Sequence, residues 1–100
     1  MTFSFHPEAR EEYREAALRY ERIKPELGHA FAKAVERAIA ALVLNPLRFG
    51  PVDERGIRRC LLKGFPYKIH YLPNETQQQL VIYAVMHVSR DPDYWKGRLP

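Results

Sequence analysis

One hundred residues make one domain, able to bury roughly two-thirds of the surface its unfolded chain exposes. A hydrophobic share of 46% beside 28% charged residues is that of an ordinary water-soluble fold, and the lone Cys60 excludes an internal disulfide. Residues 51–100 hold eight Lys or Arg against five Asp or Glu, so the net charge of +4 lies mostly in the second half and favours an anionic partner.

The chain opens with "MTFSFHPEAREEY", which meets acid before a signal-peptide core could form. The longest apolar run, Leu80 to Met86, is too short to span a bilayer. The expectation is a cytoplasmic protein with no membrane partner.

Residues 2–6, "TFSFH", alternate as a short strand does, with Phe3 and Phe5 expected to face inward. Pro7 sets a helix start, and Glu8, Glu11 and Glu12 gather at the positive end of its dipole. Tyr13, Ala16, Ala17, Tyr20 and Ile23 recur at helical spacing, which predicts an amphipathic helix over residues 8–24. "KPELG" breaks it. Phe31, Val35, Ala38, Ile39 and Leu42 then stripe a second helix, which must stop at Asn45 because Pro46 pushes that residue out of the helical region. So short a connection folds two long helices into an antiparallel hairpin.

After the loop "NPLRFGPVDERG" the apolar period changes to two. Three strand-like runs follow: "IRRCLL", "FPYKIHYL" and, past the polar turn "PNETQQQ", "LVIYAVMHV". In the second run Phe65, Tyr67, Ile69 and Tyr71 share one face, while Lys68 and His70 share the other. The third run is apolar on both faces, as a central strand flanked on each side requires. The preceding strand is one neighbour, and residues 2–6 are the candidate for the other. The expected fold is α+β, a single β-α-α-β-β-β domain over residues 1–100. Its four-stranded, mostly antiparallel sheet runs in the order first, fourth, third, second strand, with the helical hairpin on one face.

Metal and cofactor chemistry find little purchase. His6, His29, His70 and His87 lack paired ligand spacing, and the scattered glycines form no phosphate loop. Ser4 and Ser89 sit in no nucleophile elbow. What remains is a basic cluster. Arg58 and Arg59 open one strand, Lys63 ends it, and Lys68 and His70 share a face of its neighbour. His87 and Arg90 end the central strand, with Tyr94, Lys96 and Arg98 just after. A metal-free nuclease needs positive charge for a phosphate and a His or Tyr to move a proton; a surface that only grips an anionic target needs the charge alone. The structural readings stand beside these. Cys60 suits a small buried hydrophobe, Trp95 a plug over the end of the core, and His87 a structural hydrogen bond. Asp91 before Pro92 suits a turn that caps a last helical turn.

The run "FPYKIHYL", a polar turn and "LVIYAVMHVSRDPDYWKGR" resembles the C-terminal half of the RelE/ParE superfamily, toxins of bacterial type II toxin–antitoxin systems. "FHPEAREEYREAALRY", the second helix ending at "NP" and "RRCLLKGFPY" extend the resemblance over essentially the whole chain. The motif HxxRxPxYW, here His87, Arg90, Pro92, Tyr94 and Trp95, is similar to a ParE-like branch. The resemblance implies a toxin that inhibits DNA gyrase and is neutralised by a cognate antitoxin, whose acidic C-terminal segment wraps it in a hetero-oligomer. Arg58, Arg59, Lys68, Arg90, Tyr94 and Arg98 would then meet the target, with no catalytic residue, metal or cofactor. A RelE-like ribosome-dependent mRNA endonuclease is the alternative, with His87, Tyr94, Arg59 and Lys68 as its catalytic set. Pro66-Tyr67 in place of an arginine-rich strand, and the tail "RDPDYWKGR", favour the ParE-like branch.

Overall fold

Pro7 and Asn45 bound the helical pair, as their backbone chemistry demands. The computed structural model describes residues 1–100. Strand β1 (Thr2–Phe5) leads into helix α1 (Pro7–Ile23), which carries Pro at its start and whose Glu8 N–H donates to His6 Nδ1 at 3.1 Å. Helix α2 (Leu27–Leu44) follows after three residues, and Asn45 forms its C-cap before Pro46. Glu26 at the turn adopts a left-handed φ of 74° and does not cap α2 with its own side chain. Glu21 does so instead: its carboxylate accepts from Glu26 N at 2.9 Å and Gly28 N at 3.0 Å. The N–H of Glu26, first among its causes, holds the Glu21 carboxyl below its usual range. Gly28 is required where the helices meet, because a Cβ there would lie 2.3 Å from Ala17 O.

Strands β2 (Arg58–Leu61), β3 (Tyr67–Asn74) and β4 (Gln79–His87) complete a four-stranded sheet in the order β1-β4-β3-β2. β1 runs parallel to β4 and the other pairs are antiparallel. The expected α+β architecture and strand order are present, and β4 is central because its side chains are buried on both faces.

Those two faces carry two cores. On the helix side, Phe31, Val35 and Leu42 of α2 pack with Tyr67, Ile69, Tyr71, Ile82 and Val85 of the sheet. Cys60 belongs to this core and is 7% exposed; burial pushes its thiol up. On the opposite face, Ile57, Tyr83, Ala84, Met86 and Trp95 form a second cluster. A register shift at His70/Tyr71 leaves Tyr83 between two paired residues, so Tyr83 and Ala84 both join this second cluster.

Three expectations need correcting. Phe3 is 49% exposed: it lies on an edge strand, and α2 leaves a groove of about 460 Å³ beside it. Phe5 is half-buried, stacking on Tyr13 at 5.7 Å. Ile23 ends α1 beyond the sheet and is 69% exposed. The strand β3 runs on through Pro73 and Asn74, which the sequence placed in the turn. Proline is tolerated there because β2 runs beside β3 only as far as Tyr71, leaving an open edge. Trp95 is the core plug expected of it, set on the helix-free face of the sheet.

Candidate functional site

The tail after β4 is built to turn back. Asp91 Oδ1 accepts from Asp93 N at 3.0 Å, forming the turn expected at "DP", and a 3-10 turn follows over Lys96–Arg98. This lays Trp95 on the sheet, its ring 4.6 Å from that of His70, and only 2% of the residue is exposed.

The same turn sends Arg90, Tyr94 and Arg98 onto one acid of α1, Glu12. Arg98 donates from Nη1 to Glu12 Oε1 at 2.9 Å and from Nη2 to Oε2 at 3.0 Å, a bidentate pair. Its Nη1 also reaches Tyr83 O at 2.9 Å. Arg98 Nε lies 2.8 Å from Glu8 Oε2 without hydrogen-bond geometry, so that contact is an ion pair. Arg90 Nη1 donates to Glu12 Oε2 at 3.1 Å, and the Tyr94 hydroxyl donates to the same oxygen. Val85 N donates to Oε1 at 3.1 Å, which fixes the carboxylate to the central strand. Both guanidiniums lie over the Tyr94 ring, at 3.5 Å for Arg90 and 4.9 Å for Arg98.

Electrostatics follow from this packing. Burial, then donation to Glu12 and its negative charge, raise the Tyr94 hydroxyl far above its ordinary pKa. Burial by itself would lower the pKa of Arg98, but the bond to Glu12 and the Glu12 charge outweigh it and raise it. Arg98 and Glu12 are nearly covered, at 10% and 12% side-chain exposure, whereas Arg90 is 51% exposed.

The remaining candidates divide between the faces of the sheet. Arg59 pairs in register with His70, and Lys68 with Leu61 and Met86, so Arg59 and Lys68 lie on the helix-free face beside Trp95. Neither takes part in any ion pair of the molecule. Burial first, then the charges of Lys68 and Arg59, push His70 down to about 4, so the ring is neutral. Arg58 is on the other side, where its Nη1 donates to Phe49 O and anchors the loop before β2. His87 pairs with Tyr67, their rings 5.4 Å apart. Its Nδ1 accepts from Ser89 N at 3.0 Å and meets Ser89 Oγ at 2.7 Å, the structural hydrogen bond expected of it. No group of three or more His, Cys, Asp or Glu is placed to hold a metal ion.

The structure therefore brings Arg90, Tyr94 and Arg98 together on Glu12, sets Arg59 and Lys68 on the helix-free face, keeps Arg58 apart from both groups, and places His87 beside Arg90 and Glu12, away from Arg59 and Lys68. Glu12, the centre of the largest of these groups, was not singled out by the sequence. Its signal was an acid at α1's first turns, which the helix dipole already explained.

The model of the ParE toxin of type II toxin–antitoxin systems, parDE, matches residues 3–92. The chain belongs to this ParE toxin family. Type II toxins of the family pair with a cognate antitoxin. Among solved structures, the isolated E. coli RelE toxin is similar at a TM-score of 0.68 and 13% identity, covering 96% of this chain and 93% of that one. That likeness is one of fold, and it joins the ParE family to the RelE architecture described above. No curated protein sequence matches the chain.

Proposed function

We propose that this ParE-family chain acts in the cytoplasm as a toxin that poisons DNA gyrase, and that a toxin–antitoxin hetero-oligomer holds it silent. The observation that carries the gyrase reading over mRNA cleavage is the dispersal of the proton-transfer groups. An endonuclease of the alternative kind needs His87 or Tyr94 within reach of the phosphate that Arg59 and Lys68 would hold. His87 lies on the face away from both, with Nδ1 engaged by Ser89. The Tyr94 proton is committed to Glu12, and its raised pKa makes it a poor donor to anything else. A surface that only grips a target needs neither.

In this reading Arg59, Lys68 and the exposed side of Arg90 make the contacts. Tyr94 and Arg98 hold the tail that carries them, and Arg58 holds the loop beside β2. The test is controlled expression in a bacterial host. Wild type arrests growth with an SOS response and filamentation, and the antitoxin rescues it. Arg59→Glu with Lys68→Glu abolishes arrest, while His87→Gln retains it. Normal growth at verified levels of folded wild type, or loss of arrest in a folded His87→Gln variant, would contradict the reading.

A further inference from the structure

The two edges of the sheet differ in how they are guarded. At one edge β2 carries Arg58 and Arg59, is followed by Lys63, and is bridged by Pro51 at Arg58. Charge and cover of this kind keep an edge from pairing with another chain. At the other edge β1 has neither: Thr2, Phe3, Ser4 and Phe5 include no charge and no proline, and they pair with β4 without a register shift. Thr2 N and His6 N donate inward, to Gln78 O at 3.0 Å and Ile82 O at 2.8 Å. The alternation of a strand then turns the peptide groups of Phe3 and Phe5 to the open edge. Their N–H groups take part in none of the molecule's turn, loop or cap bonds.

The flank of this edge is apolar. Two grooves, of about 460 and 580 Å³, run between β1 and α2 and share Phe3 and Ala40. Glu36 is the single charged residue along both, in a chain of which 28% is charged, and Lys33 already pairs with it at 3.5 Å. Phe3 and Leu44 on their rims are exposed. A partner for this edge must bring strand hydrogen bonds and apolar side chains without net charge, and a second copy of β1 brings both. Antiparallel pairing about a two-fold axis at Ser4 sets Phe3 opposite Phe5 of the partner subunit, so every outward N–H meets an outward carbonyl. The axis is normal to the sheet. Both helical hairpins therefore stay on one side, where Ala40 and Leu44 of each α2 close over the paired phenylalanines.

We propose that the chain associates through β1 into a two-fold dimer with one continuous sheet. This does not depend on which target the toxin acts on. It leaves the helix-free face open, so the Arg59 and Lys68 surfaces of both copies lie on the same side of the joined sheet.

Sedimentation of the purified full-length chain over the micromolar range tests the dimer, and disulfide trapping tests its register. Wild type should pass from monomer to dimer as concentration rises. Phe3→Glu places a carboxylate on each side of the axis and should weaken the dimer at least about 10-fold, as like charges across an interface do. Its melting temperature should hold, since Phe3 is half exposed. Leu61→Glu on the β2 edge should leave the dimer within about two-fold, as a distant surface charge does. Ser4 stands opposite itself in a pair that exchanges no hydrogen bonds, where Cα atoms lie about 4.5 Å apart, within disulfide reach. Ser4→Cys should therefore cross-link under mild oxidation, and Thr2→Cys should not. A monomer at every concentration, a dimer unaffected by Phe3→Glu, or cross-linking of Thr2→Cys in preference to Ser4→Cys would overturn the proposal. Hydrogen-exchange protection of β1 that arises only when the antitoxin is added would give the edge to that partner, and would overturn it as well.

Discussion

Arg98 grips both carboxylate oxygens of Glu12, at 2.9 and 3.0 Å, across 86 residues of chain. The last residues of a domain usually fray unless something ties them down. Here the tie is a charge pair almost removed from water, aided by Tyr94 and Arg90 on the same carboxylate. The ends of the chain are thereby fixed to each other and to Val85 of the central strand.

Breaking that tie leaves a covered charge without its partner. Glu12→Ala should therefore destabilise the fold by about 3 to 5 kcal/mol, the range for losing one member of a buried ion pair. Urea unfolding checks it, and a double-mutant cycle with Arg98→Met should show coupling of about 0.5 to 3 kcal/mol. Additive effects of the two changes would mean the pair is geometric only.

Trp95 reports on the same tail. It is the only tryptophan, and its ring packs on His70 as part of the second core, so its emission should be blue-shifted and poorly quenched by acrylamide in the native protein. Trp95→Ala should cost about 3 to 5 kcal/mol through the cavity it leaves. A melting temperature that hardly moves, with toxicity lost, would place the ring on the target surface instead.

His70 makes stability depend on pH. Burial, Lys68 and Arg59 hold its pKa at about 4 against the usual 6.5, so between these values the unfolded chain takes up a proton that the folded protein refuses. The contribution is complete above pH 6.5 and is lost as pH falls toward 4, by up to about 3 kcal/mol. His70→Phe keeps a ring against Trp95 and removes the titration. Chemical unfolding at pH 7 and pH 4.5 should show a smaller loss for the variant than for wild type; equal losses would refute the assignment.

A methyl group at the hairpin tests the helix packing. Gly28→Ala places a carbon 2.3 Å from a backbone oxygen of α1, so the helices must part. The loss should be about 1 to 3 kcal/mol, as for other overpacked sites, and calorimetry would detect it. An unchanged melting temperature would show that the helices are free to shift.

The parts legible in the sequence are those written in local chemistry. Pro7 and Asn45-Pro46 mark helix ends wherever they fall, and the unbroken apolar run from Leu80 to Met86 requires neighbours on both sides. From that run the strand order followed. The hidden parts depend on residues far apart. Glu12 looked like ordinary dipole decoration, because nothing local reveals that Arg90, Tyr94 and Arg98 converge on it. The extra residue at Tyr83 was invisible to a period of two, and it sets which face Tyr83 shares with Trp95. The opposed faces of Lys68 and His87 follow from a register that a single strand does not carry.

We propose that gyrase is the target and that the chain brings charge, not proton transfer, to it. The most direct measurement incubates purified protein with gyrase, ATP and supercoiled plasmid, then traps cleaved DNA with detergent and protease. Wild type and His87→Gln should both accumulate linear plasmid, and the Arg59→Glu, Lys68→Glu variant should not. Intact plasmid throughout, with the same wild-type protein cutting mRNA on ribosomes, would contradict the account.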